Sequence, residues 1–388
     1  MATTRPRVMT VYGTRPEAIK VAPVIKALEA SDVLDSITVV TGQHREMLDQ
    51  VNEIFEIMPD HDLDIFEHGA SLSMIVARVL ERLDPVLEAE KPAAVVVQGD
   101  TSTSTAAALA AFHRGIPVVH LEAGLRSGNI LSPFPEEANR KITSQIASLH
   151  LAPTATSKAN LERESVADDD VVVTGNTVID ALLMTVEKKS PFSDPALEDL
   201  ADSGRRILLV TTHRRENWGD AMEGVGRALA RLARSFPDVQ VVLPAHRNPV
   251  VRQAVLPHLR GLDNVTVTEP LAYGQFTRML SLASVVLTDS GGVQEEAPSL
   301  GKPVLVMREN TERPEAVDAG TVKLIGTDEE RIVDEVTTLF TDQVAYEAMA
   351  QATNPYGDGS SAARTVGAIH HLLGNGPRPT DWQVGTSR

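Results

Sequence analysis

Three acidic residues lie where a carboxylate could do chemistry. Asp100 sits in Gln98-Gly99-Asp100-Thr101-Ser102, directly after a wholly apolar run. Glu122 follows a second such run in His120-Leu121-Glu122-Ala123-Gly124-Leu125-Arg126, and Glu136 opens a helical pattern in Phe134-Pro135-Glu136-Glu137-Ala138-Asn139-Arg140. Each has an ordinary structural explanation. Asp100 could cap a helix, Glu122 could pair with Arg126, and Glu136 could complement a helix dipole. Their convergence on one sheet edge favours a catalytic set, because crowded carboxylates raise one another's pKa and let an acid and a base coexist near neutrality.

A second group of motifs is suited to anions. In Tyr12-Gly13-Thr14-Arg15-Pro16-Glu17-Ala18-Ile19-Lys20 a strand ends, a glycine turns the chain and a helix begins, with Arg15 and Lys20 near its amino end. His213 stands beside Arg214 and Arg215 after another strand, and His246 ends a further one. Thr288-Asp289-Ser290-Gly291-Gly292-Val293-Gln294-Glu295-Glu296 is the strongest single element. A strand runs into a Ser290-Gly291-Gly292 turn whose bare N–H groups could meet phosphate oxygens, and Glu296 is one turn on for a ribose diol. Arg313 adds charge after the next strand. No G-x-G-x-x-G fingerprint and no metal-ligand spacing occur, so no redox cofactor, metal or other cofactor is expected. These residues describe a nucleotide-sugar enzyme with acid/base chemistry. Spacing alone leaves transferase, hydrolase and epimerase open.

The elements that would hold these residues alternate between short β-branched runs and longer helical patterns, the mark of parallel sheets in an α/β chain. Strands are expected at 7–12, 37–41, 94–98, 118–121, 150–152 and 171–173, then at 206–211, 239–243, 265–267, 285–288 and 303–306. Two Rossmann-like, doubly wound domains follow. The first covers residues 1–176 with the carboxylates, the second residues 177–358 with the anion motifs, and residues 359–388 form a returning helix and a frayed tail. In tandem, such sheets turn their carboxyl ends toward a shared central cleft, where ligands bind.

A chain of 388 residues suits two domains, and 42% hydrophobic with 23% charged residues is ordinary for a globular protein. No apolar run is long enough to cross a bilayer, and the first residues lack a signal-peptide core. The absence of cysteine removes thiolate and disulfide chemistry and fits the cytoplasm. A net charge of −17 argues against a nucleic-acid partner and asks for a local basic pocket inside an acidic shell.

Segments 13–20, 41–51, 98–101, 120–126, 133–140, 174–182, 213–217 and 287–315 closely resemble the non-hydrolysing UDP-N-acetylglucosamine 2-epimerases, in order and spacing. The resemblance implies a glycosyltransferase-B-like pair of domains, a homodimer, and interconversion of UDP-GlcNAc and UDP-ManNAc. It also implies a route through loss of UDP to 2-acetamidoglucal and re-addition. Asp100, Glu122 and Glu136 would be the acid/base set, assisted by His213. Arg15, Lys20, His213, Ser290, Gly291, Gly292 and Arg313 would hold the diphosphate, Glu296 the ribose and Phe276 the uracil. Activator-binding members of the family would use Gln43, His44, Arg214 and His246 together with an Arg-Gln pair, and Gly69-Ala70 stands here where that pair would be. A hydrolysing epimerase, or an epimerase of a related UDP-2-acetamido sugar, is the alternative.

Overall fold

Runs of Val, Ile and Leu flanked by helical segments leave both faces of a strand covered, so parallel strands form wherever these runs occur. The computed structural model describes residues 5–42, 45–212 and 219–385. It divides into two units, Met1–Leu183 with Tyr356–Arg388, and Met184–Pro355.

The first unit carries β1 (Arg7–Tyr12), β2 (Asp35–Val40), β3 (His61–Asp62), β4 (Ala94–Gln98), β5 (Val118–Leu121), β6 (Leu149–Ala152) and β7 (Val171–Val173). They form one sheet in the order β3-β2-β1-β4-β5-β6-β7, and every pairing is parallel. The strand order reverses between β1 and β4, the switch point at which doubly wound sheets bind ligands beyond their carboxyl ends. The second unit repeats this plan with β8 (Arg206–Thr211), β9 (Val239–Pro244), β10 (Val265–Thr268), β11 (Val285–Thr288), β12 (Val304–Val306) and β13 (Val322–Leu324). Their order, β10-β9-β8-β11-β12-β13, puts the switch point between β8 and β11. Each unit has its own core, one around Met9, Val95, Val97 and Leu83 and the other around Leu208, Val210, Val241 and Leu287. β3 and β13 were not expected from the sequence. His61–Asp62 has no apolar residue, and in β13 Lys323 interrupts a run of three.

The first unit runs past the expected boundary at residue 176 and resumes at Tyr356. The helix Thr177–Glu187 begins inside it, where buried Asp180 accepts the main-chain N–H of Ala362 at 2.8 Å and of Ser361 at 3.3 Å. Asp180 thereby satisfies the free donors at the start of the helix Ser361–Leu372, which packs on the helix Arg15–Glu29. The tail, expected to fray, is instead docked. The N–H of Trp382 donates to the Val173 carbonyl at 2.8 Å, Asp381 accepts from the Val173 N–H and from Lys158, and the indole is buried with Ala123, Leu161 and Val171. A polar composition misleads here because one aromatic ring and one carboxylate suffice to tie the segment to an edge strand.

Candidate active site

At the switch point of the first sheet, β1 ends in Gly13 and Thr14. A Cβ at Gly13 would overlap the Thr41 side chain, so only glycine allows the chain this close to its neighbour. Thr14 caps the helix Arg15–Glu29, and Glu17 closes the capping box. One oxygen of Glu17 accepts the N–H of Gly13 at 2.9 Å and of Thr14 at 2.7 Å, and the other accepts the Thr101 hydroxyl at 2.5 Å. Burial raises the pKa of this carboxyl, against the pull of those hydrogen bonds. Glu17 thus locks the turn after β1 to the turn after β4. Arg15, at the first helical position, is half-buried and has no side-chain partner among the described residues.

Glu122 follows β5 in the left-handed region at φ 64°, an uncommon conformation for a residue with a Cβ. Its carboxylate is addressed by Lys20, by the Gln98 amide at 2.5 Å and by the Asn176 amide at 3.2 Å. These three partners are all donors, which favour the charged form of a carboxylate. The structure therefore brings Lys20 to Glu122. Arg126, four residues on in the same motif, pairs instead with Glu164 at 2.7 Å.

Asp100 is not the helix cap; Thr101 fills that position for the helix Ser102–His113. The Asp100 side chain is free to meet Arg140, whose Nε and Nη2 lie 2.8 and 2.7 Å from Oδ2. Burial opposes the charge of Arg140, yet the carboxylates of Asp100 and Glu137 outweigh it and hold its pKa above the ordinary value. Glu136 is the first residue of the helix Glu136–Ile146 and half-buried, and it has no side-chain partner among the described residues. Beneath the site, His120 on β5 and His150 on β6 stand side by side. Nε2 of His120 lies 2.7 Å from the carbonyl of Gly99, so that nitrogen carries the proton. Burial lowers the pKa of His120 to about 4 and that of His150 to about 3, leaving both neutral.

In the second unit β11 ends in Thr288 and the buried Asp289, and Ser290 opens the short helix Gly291–Glu296 with no side chain capping it. A Cβ on Gly291 would fall 2.6 Å from Nη1 and 2.8 Å from Cζ of Arg313, whereas nothing lies within 4 Å of one on Gly292. The guanidinium of Arg313 rests on the glycine backbone and is fixed by Glu295, 2.6 Å from its Nε. Glu296 is buried and accepts the Tyr273 hydroxyl at 3.2 Å. Phe276 is half-buried on the helix Tyr273–Leu282. The second unit thus gathers Ser290, Gly291, Gly292, Glu296 and Arg313 at one sheet edge. His246 follows β9, where its Nδ1 accepts the Asn248 N–H at 3.1 Å. Gln43, His44, His213 and Arg214 lie outside the described residues. Gly69 and Ala70 border a cavity of about 200 Å³ shared with Ile65, Phe66 and His68. Among the described residues no His, Asp and Glu cluster fit to hold a metal occurs, and no helix is long and apolar enough to cross a membrane.

The family pattern described as UDP-N-acetylglucosamine 2-epimerase matches residues 26–370. The chain belongs to this family. The UDP-N-acetylglucosamine 2-epimerase of Yersinia pestis is 52% identical over 94% of this chain and 98% of its own. That of Escherichia coli K12 is 51% identical over the same shares. The crystal structure of the Neisseria meningitidis UDP-GlcNAc 2-epimerase bound to UDP-GlcNAc matches with a TM-score of 0.82 and 47% identity, covering 95% of this chain and all of that one. The paired Rossmann-like units are the glycosyltransferase-B-like architecture of these epimerases.

Glu17, Gln98, Glu137, Asn139, Arg140 and Asn176 lie within the family motifs, yet the sequence assigns them no role; Tyr273 lies outside those segments. Arg140 could have been noticed from its spacing, since it lies three and four residues beyond Glu137 and Glu136 on one helix face. Gln98 and Asn176 carry no such signal, because both meet Glu122 only through the fold.

Proposed function

We propose that the protein interconverts UDP-N-acetylglucosamine and UDP-N-acetylmannosamine without net hydrolysis. The hydrogen on carbon 2 is only feebly acidic, so its removal is coupled to departure of UDP. The C2–H and C1–O bonds break, a C1=C2 double bond forms, and 2-acetamidoglucal and UDP remain bound. Return of a proton to the opposite face of carbon 2 and of UDP to carbon 1 completes the inversion. In this reading Asp100, Glu122 and Glu136, with His213, move the protons. Arg15, Lys20, Ser290, Gly291, Gly292 and Arg313, again with His213, hold the diphosphate, which needs stabilisation as it leaves. Glu296 takes the ribose and Phe276 the uracil. A cytoplasmic homodimer is part of the same reading.

The observation that carries it is the placing of three carboxylates with different partners at one sheet edge. Glu122 meets Lys20 and two side-chain amides, Asp100 meets an arginine, and Glu136 has no partner among the described residues. The reading is also supported by membership of the family. Incubating the protein with UDP-GlcNAc in heavy water and following carbon 2 by NMR tests it. Deuterium at carbon 2 of intact UDP-sugar of both configurations is expected. Free N-acetylmannosamine and UDP as the main products would replace it with a hydrolysing epimerase.

A further inference from the structure

Asp100 and Arg140 are 40 residues apart in sequence, and their contact is asymmetric. Two guanidinium nitrogens, Nε at 2.8 Å and Nη2 at 2.7 Å, address the same oxygen, Oδ2. Oδ1 has no partner among the described residues. The third nitrogen, Nη1, lies 3.1 Å from Oε2 of Glu137, which is wholly buried. Glu137 is itself fixed by the main-chain N–H of Ser127 at 3.0 Å and of Gly128 at 3.2 Å. The neighbouring Asn139 amide holds the Asp100 carbonyl at 2.9 Å.

We infer that Arg140 is a positioning residue that grips Oδ2 of Asp100 and leaves Oδ1 to work on the substrate, with Glu137 anchoring Arg140 from behind. This rests on the epimerase reading above. The physical case is threefold. A partly buried ion pair contributes little to stability by itself, since desolvation offsets much of its attraction. The planar fork of an arginine, unlike an ammonium, serves two carboxylates in fixed directions at once. And gripping a single oxygen leaves the other available, as a proton acceptor requires. Other titratable groups on elements around Asp100 include Glu136 and Lys141 of the helix that carries Arg140, the neutral His120 of β5 with Glu122 just after it, His113 of the helix Ser102–His113, and Arg15, Glu17 and Lys20 of the first helix. Among the described residues only Arg140 touches Oδ2 of Asp100.

The test uses full-length R140Q, R140K and E137Q, read by kcat/KM against pH, UDP affinity by calorimetry and thermal midpoint. In R140Q, kcat should fall about 100-fold, the scale of one acid/base group. The acid limb of the profile should move to higher pH because Asp100 has lost the cation that favours its charged form. UDP affinity should stay within about twofold of wild type, since the nucleotide is held elsewhere. R140K should restore part of the limb but not the full kcat, and E137Q should move the limb the same way by less. An unmoved limb in R140Q, or a loss of UDP affinity that parallels the loss of kcat, overturns the inference. If R140Q does not fold, R140K decides: a limb and kcat like wild type refute the role. Absence of carbon 2 exchange in the wild type would refute the epimerase reading instead, so the two failures are separable.

Discussion

Nδ2 of Asn176 stands 3.2 Å from Oε1 of Glu122, while the main-chain N–H of the same asparagine donates to the Tyr356 carbonyl at 2.6 Å. Its Oδ1 accepts the Val178 N–H at 3.1 Å, so every polar group of the side chain is engaged. One residue therefore joins the Glu122 carboxylate to both segments through which the chain leaves and re-enters the first unit.

Asn176→Ala should lower kcat about tenfold, the worth of one hydrogen bond to a charged group. Asn176→Asp should be worse near neutrality. It keeps the contact to Val178 but sets a second carboxylate beside Glu122, which disfavours the ionised form and moves the acid limb upward. A pH–rate profile of the two variants checks this. Equal profiles would show that Asn176 acts only through the fold.

Glu17 makes a stability prediction with a definite sign. Glu17→Ala should cost roughly 2–4 kcal/mol in urea unfolding, because it strands the N–H groups of Gly13 and Thr14 and the Thr101 hydroxyl. Glu17→Gln separates the charge from the contacts. Burial raises the folded pKa, so the stability Glu17 contributes is full below the unfolded value of about 4.3 and declines as pH rises through the folded value. The stability of wild type relative to Glu17→Gln should fall as pH rises from about 4. A flat difference across that range would contradict the buried-acid picture.

His120 and His150 make the opposite prediction. Burial lowers their folded pKa values to about 4 and about 3, and Nδ1 of each is buried without a partner to receive a new proton's hydrogen bond. Below about 6.5 the unfolded chain binds protons that the folded one refuses, so stability declines as pH falls from 6.5 toward those values, by roughly 3 kcal/mol for His120 alone. His150→Gln should flatten the slope of unfolding free energy between pH 6 and 4 by about one proton. An unchanged slope would mean that the imidazole is already charged in the fold.

The turn after β11 is tested by two alanines. Gly291→Ala must displace the guanidinium of Arg313 and break its contact with Glu295, and should weaken UDP binding about tenfold with little loss of stability. Gly292→Ala meets nothing within 4 Å, so the fold should accept it without strain. Weakened UDP binding there would place the ligand against that face of the turn. Unchanged affinity in both variants would remove the turn from phosphate binding.

Much of the fold was legible because strand formation is local. Among the described residues, eleven of the thirteen strands fall where the sequence places short runs rich in Val, Ile and Leu, and each switch-point motif begins where such a run stops. The two that were missed, β3 and β13, are two and three residues long and broken by polar side chains, so burial and neighbouring strands decide them. The docked tail was missed for the same kind of reason, since Trp382 is one apolar residue in a polar stretch.

By itself the sequence determined which residue types stand at which strand ends, and hence the chemistry on offer: three carboxylates, cations beside a helix start, and a Ser-Gly-Gly turn. Only the tertiary structure decided who meets whom. Arg126, near Glu122 in sequence, went to Glu164, while Lys20 came from 102 residues away and Asn176 from 54. Arg140 crossed 40 positions to reach Asp100. Ion pairing follows distance in space and the solvent each partner gives up, and neither is written in the order of the chain.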